Sequence, residues 1–247
     1  MKPEWHLFTP EHPDFPEGLD FWTGAMIMVD KPYGITSFKV VHDLRRNISA
    51  GTGRKLKIGH AGTLDPLASG LLILCTGKMT REIDSYQGLV KCYTGSFRLG
   101  QTTPTYDLES ETDLEHATDH IDEAAIEAVR LGFMGEQWMT PPIHSAVQIG
   151  GKRAYELARQ GKTPELAPKR IVIDSLEIQI ADFPDIHFRV VCSKGTYIRA
   201  LAHEFGRRLQ SGAHLTALRR ESIGTYDVRQ AWNFETLKKL LLLQRER

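Results

Sequence analysis

The sequence predicts an α+β domain, and three observations carry that prediction. Strand-like and helical stretches follow one another without regular alternation, which argues against a doubly wound α/β sheet. The strand candidates include a continuous apolar run over 71–75, which fits a buried strand, and an alternating one over 90–99 around Tyr93. The 247 residues are 41% hydrophobic, enough for a substantial core, and show neither an internal repeat nor a low-complexity segment.

Residues 1–23 combine Trp5, Phe8, Phe15, Phe21 and Trp22 with Pro3, Pro10, Pro13 and Pro16. That is too apolar for a free tail and too proline-rich for a helix, so the segment reads as an irregular arm over the domain surface. A strand over 25–29 ends at Asp30-Lys31-Pro32. Thr36 or Ser37 caps a helix with Phe38, Val41, Leu44 and Ile48 on its apolar face. After a break at 49–53, the spacing gives a short strand over 56–58, a loop over 59–70 and the buried strand over 71–75. The strand over 90–99 leads into an acidic segment read as a loop, then a helix over 121–133 with Ile121, Ala125 and Val129 on one side. Thr140-Pro141-Pro142 breaks the chain before a strand over 143–149, a Gly150-Gly151 turn and a short helix over 154–159. Strands over 171–180 and 186–192 form a hairpin across 182–185. Thr196 caps a helix carrying Ile198, Leu201, Ala202, Phe205 and Leu209, followed by a strand over 215–226 and a last helix over 235–243.

Composition narrows the function classes. The mean hydropathy is −0.31, and no apolar run approaches the ~18 residues of a membrane span. The N-terminus has no apolar h-region of a secretory signal, so a cytoplasmic protein with no membrane association is expected. Cys75, Cys92 and Cys192 are sparse and far apart, which fits reduced, buried thiols and no structural zinc. Lys plus Arg and Asp plus Glu both number 31, but nine acids and no Lys or Arg fall between Asp107 and Glu127. The remainder holds 31 bases against 22 acids, a formal +9, which suits a phosphate backbone. The basic clusters are Arg54-Lys55, Lys169-Arg170, Arg207-Arg208 and Arg219-Arg220.

The most specific stretch is Gly59-His60-Ala61-Gly62-Thr63-Leu64-Asp65-Pro66-Leu67-Ala68-Ser69-Gly70. A glycine-rich loop between two buried strands is a rigid mount for one reactive group. Pro66 fixes its own φ and biases Asp65 away from the helical region. The Gly77-Lys78 pair does not have the spacing of a phosphate-binding P-loop. There is no dinucleotide fingerprint and no metal-ligand cluster, so neither a cofactor nor a metal is expected.

This string resembles the catalytic motif of the TruB family of tRNA pseudouridine synthases, which act on uridine 55 in the T loop. Further strings recur in order: Lys31-Pro32-Tyr33-Gly34, Lys91-Cys92-Tyr93, Ser145-Ala146 with Gly151-Lys152-Arg153-Ala154-Tyr155, Ser193-Lys194-Gly195-Thr196-Tyr197-Ile198-Arg199, and Leu218-Arg219-Arg220. The resemblance implies the pseudouridine synthase fold, a mixed, mainly antiparallel central sheet with flanking helices and loops. It implies a catalytic domain over 24–232, preceded by the arm over 1–23 and followed by a short helix over 233–247.

The resemblance also implies roles. Asp65 is the catalytic carboxylate, acting as nucleophile at C1′ or C6 or as base on C2′, and Arg199 is its partner. Tyr93 stacks on the target base, and Tyr197 and Leu218 complete the pocket. His60 fills the space that the extruded uridine vacates. Lys31, grouped with the substrate-binding residues, supports the loop beside Pro32. The expected partner is the T arm of tRNA, with no protein partner and a monomeric enzyme. Alternatives are a pseudouridine synthase for another RNA site and a tRNA-binding folding factor. Two departures from the family pattern stand out: Gln148 replaces the usual lysine, and 228–247 is too short for the C-terminal PUA-type module of many relatives.

Overall fold

In the computed structural model of the chain, residues 6–11, 19–50, 52–145, 147–162 and 165–243 are described. Pro3, Trp5, Pro13, Phe15, Pro16 and Ala146, singled out above, lie outside them. The first elements are β1 (His6–Phe8), β2 (Ala25–Lys31), α1 (Ser37–Ser49), β3 (Ile58–His60) and β4 (Ala68–Thr76). A 3₁₀ turn (Gly77–Glu82) leads to α2 (Ile83–Gly88), β5 (Lys91–Leu99), β6 (Gln101–Thr102) and β7 (Leu114–Glu115). Next come α3 (Glu123–Gly132), β8 (Gly135–Met139), β9 (Gln148–Ile149), β10 (Lys152–Arg153) and α4 (Ala154–Arg159). The chain continues through β11 (Lys169–Asp182), β12 (Asp185–Cys192), α5 (Ile198–Arg208), β13 (Ala213–Ile223) and β14 (Tyr226–Asp227). A 3₁₀ turn (Val228–Gln230), β15 (Trp232–Asn233) and α6 (Phe234–Leu243) follow.

These elements form two compact units, one of Met1–Lys91 with Arg219–Arg247, the other of Cys92–Leu218. In the first, β2 and β4 pair antiparallel from Met26↔Cys75 to Lys31↔Gly70. On the other edge of β2, β1 and β15 pair parallel with Ala25–Ile27 and Val29–Asp30, and β3 pairs antiparallel with the end of β4. Successive side chains of a strand face opposite ways. Ala25, Ile27, Val29, Leu72 and Leu74 therefore pack under α1 and α6, against Val40, Leu44, Leu237 and Leu241. Met26, Met28, Leu71, Ile73 and Cys75 pack on the opposite face with Met79, Ile223 and Val228. Because both faces are covered, β4 reads as an unbroken apolar run.

The second unit has the long β11–β12 hairpin, with β8 antiparallel to β11 from Lys169↔Met139 to Ile173↔Gly135. In its core the Phe97 ring lies tilted against Phe205 at 5.0 Å, and Phe205 stacks on Phe133 at 5.7 Å. Ile198, Leu201, Ala202, Phe205 and Leu209 are all buried, as the spacing predicts. The α+β class and the mixed, mainly antiparallel pairing match the expectation.

Several details differ. His6–Phe8 is not irregular but an added strand, with Phe8 fully buried against Trp232 at 5.0 Å. Phe38 does not lie on the apolar face of α1: it is 68% exposed. A helix turns about 100° per residue, so Phe38 points about 120° away from Leu44, the centre of the buried stripe. The acidic segment is not all loop: its Leu114–Glu115 is β7, which pairs with β6 just ahead of the segment, Gln101↔Glu115 and Thr102↔Leu114. Among the described residues of 143–149, only Gln148–Ile149 is strand; the His144 carbonyl accepts from Arg199 instead of joining a ladder. Tyr197, not Thr196, is the residue at the N-cap of α5, and the Thr196 hydroxyl donates back to Ser193 O at 2.9 Å.

Candidate active site

The loop holding Asp65 is tied down on both sides of that residue. Before it, the Ser37 hydroxyl donates to Leu64 O at 2.9 Å and accepts from Leu64 N at 2.8 Å. After it, Pro66 O accepts from Gly34 N at 2.8 Å and from Lys31 Nζ at 3.4 Å. Asp65 O also accepts from Ala68 N at 3.1 Å, closing a turn over Pro66 and Leu67. Ser37 can reach Leu64 because Thr36 caps α1, accepting from Lys39 N at 3.0 Å, and sets the first helical turn beside the loop.

Lys31 is fully buried under this loop. Its ammonium donates to Pro32 O at 2.9 Å and Ile35 O at 2.7 Å as well as to Pro66 O. A buried cation is tolerated where carbonyl dipoles solvate it. Burial still lowers its pKa to about 8; the nearby Asp65 charge opposes that fall, and the Arg220 charge adds to it. Lys31 thus stands beneath the loop as a support.

Arg220 is the support that sequence reasoning missed. It is buried, and its guanidinium donates to Leu71 O at 2.7 Å and Gly62 O at 3.0 Å, pinning the start of the loop to the start of β4. Its sequence signals were its place at the end of the Leu218-Arg219-Arg220 string and in a basic pair, and neither pointed to a buried brace. His60 ends β3 half-buried, and its Nδ1 is buried without a hydrogen-bond partner among the described residues. Burial, and then the Arg220 charge, lower its pKa, so its neutral form is favoured.

The second unit holds Tyr93, Arg199, Tyr197 and Leu218. Tyr93 is buried on β5. Arg199, in the first turn of α5, is 5% exposed. It donates to Thr105 O and His144 O at 3.0 Å each, and its Nε lies 3.5 Å from the Asp107 carboxylate. Asp107, Thr105 and His144 are further residues that the sequence did not flag; only folding brings them to Arg199. Gly195, at φ +82°, makes the turn that delivers Tyr197 to the head of α5. Leu218 is half-buried on β13.

The basic clusters are less available than their sequence suggests. Arg219 is bidentate to Asp30, Arg207 to Glu204 and Arg170 to Glu136. Arg208 lies over the Phe133 ring at 3.8 Å and donates to Glu204, Gly132 O and Gln137. Arg54 stacks over Trp22 at 4.5 Å, and Lys55 beside it is exposed. Among the described residues no group of three or more His, Cys, Asp or Glu is placed to hold a metal ion, and no helix is long and apolar enough to cross a membrane.

The chain is similar to known proteins along most of its length. The family model for the N-terminal domain of TruB family pseudouridylate synthases matches residues 48–198. A tRNA pseudouridine synthase B of Flavobacterium johnsoniae is 49% identical over 86% of this chain and 93% of its own. That of Bacteroides thetaiotaomicron is 50% identical over 85% and 89%. Among solved structures, a Cbf5-Nop10-Gar1 complex contains a chain 28% identical with a TM-score of 0.69, covering 99% of this chain. This chain spans 61% of that protein's length. A family match over more than half of the chain, and relatives about half identical over nearly their whole length, make it a member of the TruB family of pseudouridylate synthases.

Proposed function

We propose that Asp65 is the carboxylate with which this chain, a tRNA pseudouridine synthase, isomerises uridine 55 in the T loop of tRNA. The uracil N1–C1′ bond breaks, the base turns and a C5–C1′ bond forms. C5 loses its proton and N1 gains one, so nothing is oxidised and no water is consumed. An ionised Asp65 opens the reaction by attack at C1′ or C6, or by taking the C2′ proton.

The observation that carries this reading is the pinning of Leu64 and Pro66 by Ser37, Gly34 and Lys31, which holds the residue between them on a preorganised backbone. Arg199 is the charge partner of Asp65, and a guanidinium with five N–H donors can serve this role and Asp107 together. Tyr93 stacks on the extruded base beside Tyr197 and Leu218. His60, held neutral, enters the vacated space with less desolvation than an imidazolium would need. Residues 24–232 form the catalytic domain, acting as a monomer without a protein partner.

The test is incubation with unmodified tRNA transcript, followed by mapping of pseudouridine. Product at position 55, lost in Asp65→Asn, is expected. Product only in ribosomal RNA fragments would assign another site. Assistance to tRNA folding that survives Asp65→Asn, with no product from wild type, would assign a folding factor.

A further inference from the structure

Two exposed aromatic side chains flank the tie points of the Asp65 loop, and the reaction as described does not use them. Tyr33 is 60% exposed and directly precedes Gly34, whose N–H holds Pro66. Phe38 is 68% exposed and directly follows Ser37, whose hydroxyl holds Leu64. A single exposed aromatic is ordinary. Here two stand next in sequence to Gly34 and Ser37, which hold Pro66 and Leu64 on either side of Asp65. The His42 ring lies 6.4 Å from that of Phe38, inclined at 35°, and adds a second flat ring along α1. The same helix carries Lys39, Arg45 and Arg46; its one acid, Asp43, is buried and paired with Lys39, Arg45 donates to Ile58 O at 3.1 Å, and Arg46 is exposed.

We propose that Tyr33 and Phe38 form a stacking platform for unpaired bases of the substrate RNA next to the extruded uridine. The inference rests on the tRNA reading above and adds specificity-determining residues to it. An unpaired base offers a flat π-face, an aromatic ring accepts it without regard to its identity, and the basic helix meets the phosphates that follow. Extrusion of the target leaves its neighbours unstacked, and a platform beside the loop recovers that stacking for the open form alone. A second copy of the chain is a poorer occupant: two side chains and an imidazole are far short of the roughly 800 Å² per partner of a stable protein interface.

The experiment compares wild type with Tyr33→Ala, Phe38→Ala and the double variant on an unmodified T-arm stem-loop RNA. Both side chains are exposed, so truncation leaves no cavity and the variants should fold. One stack corresponds to about 5- to 150-fold in affinity. Each variant should raise Kd and KM by about tenfold, while the rate at saturating RNA changes less than twofold. Phe38→Trp and Tyr33→Trp should restore binding. The log–log salt slope should stay parallel to wild type, because stacking releases no counterion. An abasic nucleotide at one position beside the target uridine should weaken wild type but not the matching variant. Kd within twofold of wild type, a shallower salt slope, or a wild-type dimer that the variants dissociate in sedimentation would each overturn the proposal. A wild type that makes no pseudouridine would instead overturn the functional reading beneath it.

Discussion

Gly70 lies against the backbone of Arg220: a Cβ at Gly70 would stand 2.3 Å from the Arg220 carbonyl oxygen and 2.7 Å from its amide nitrogen. The Arg220 side chain then turns under the loop to Gly62 O and Leu71 O. One residue, remote in sequence, thereby closes both ends of the stretch that presents Asp65. At φ +104°, Gly70 is also in a conformation that side chains disfavour.

Gly70→Ala should therefore destabilise the protein by about 3 kcal/mol, combining backbone strain with a clash against backbone that cannot swing away. Urea unfolding measures this. A loss below about 0.5 kcal/mol, typical of surface changes, would show that β4 can shift to accept the methyl.

Asp65→Asn keeps the shape of the side chain and removes the charge. Pseudouridine formation should vanish, with tRNA affinity and unfolding midpoint close to wild type. Turnover above a tenth of wild type would take Asp65 out of its central role.

Arg199→Lys keeps a charge but loses the planar fork that serves Thr105 O, His144 O and Asp107 together. A large fall in rate with little change in tRNA affinity is expected from a residue this buried. An equal fall in affinity would make Arg199 a phosphate contact and sever its proposed link with Asp65.

Lys31 gives a pH signature. Its folded pKa, about 8, lies below the 10.5 of the free side chain, so between those values the unfolded chain binds more protons. Its unfavourable burial is fully present below pH 8 and fades as pH rises, so stability linked to this group increases with pH. The stability of wild type relative to Lys31→Met, measured by urea unfolding, should rise by about 1 kcal/mol from pH 7 to pH 9. A flat or falling difference would show that the ammonium is not held below its usual range.

Much of the architecture was legible because it is local. The positions of α1, α3 and α5, the Thr36 cap of α1 and the buried stripe of α5 follow from spacing, and the β11–β12 hairpin from two strand-like runs joined by a short turn. Errors arose where a local pattern met a distant partner. Phe38 fits an apolar spacing read from Val41, but the sheet beneath α1 draws Val40 and Leu44 inward and leaves Phe38 outside. The stretch around His144 has strand-like residues, yet its carbonyl is taken by Arg199, 55 positions away. The basic pairs Arg207-Arg208 and Arg219-Arg220 read as RNA contacts until Glu204, Asp30 and the carbonyls of Gly62 and Leu71 are found beside them.

The sequence by itself determined the α+β class and the family, and it singled out Asp65 as the carboxylate proposed to react, because the glycine- and proline-bearing loop between buried strands is written in twelve consecutive residues. Tertiary structure alone decided what holds that carboxylate. Lys31, Ser37 and Arg220 reach its loop from 35, 27 and 158 residues away, and whether a lysine or arginine becomes a buried brace or a surface charge depends on which carbonyls the fold brings to it. Desolvating a cation is unfavourable unless such partners are already in place; no local pattern reports whether they are.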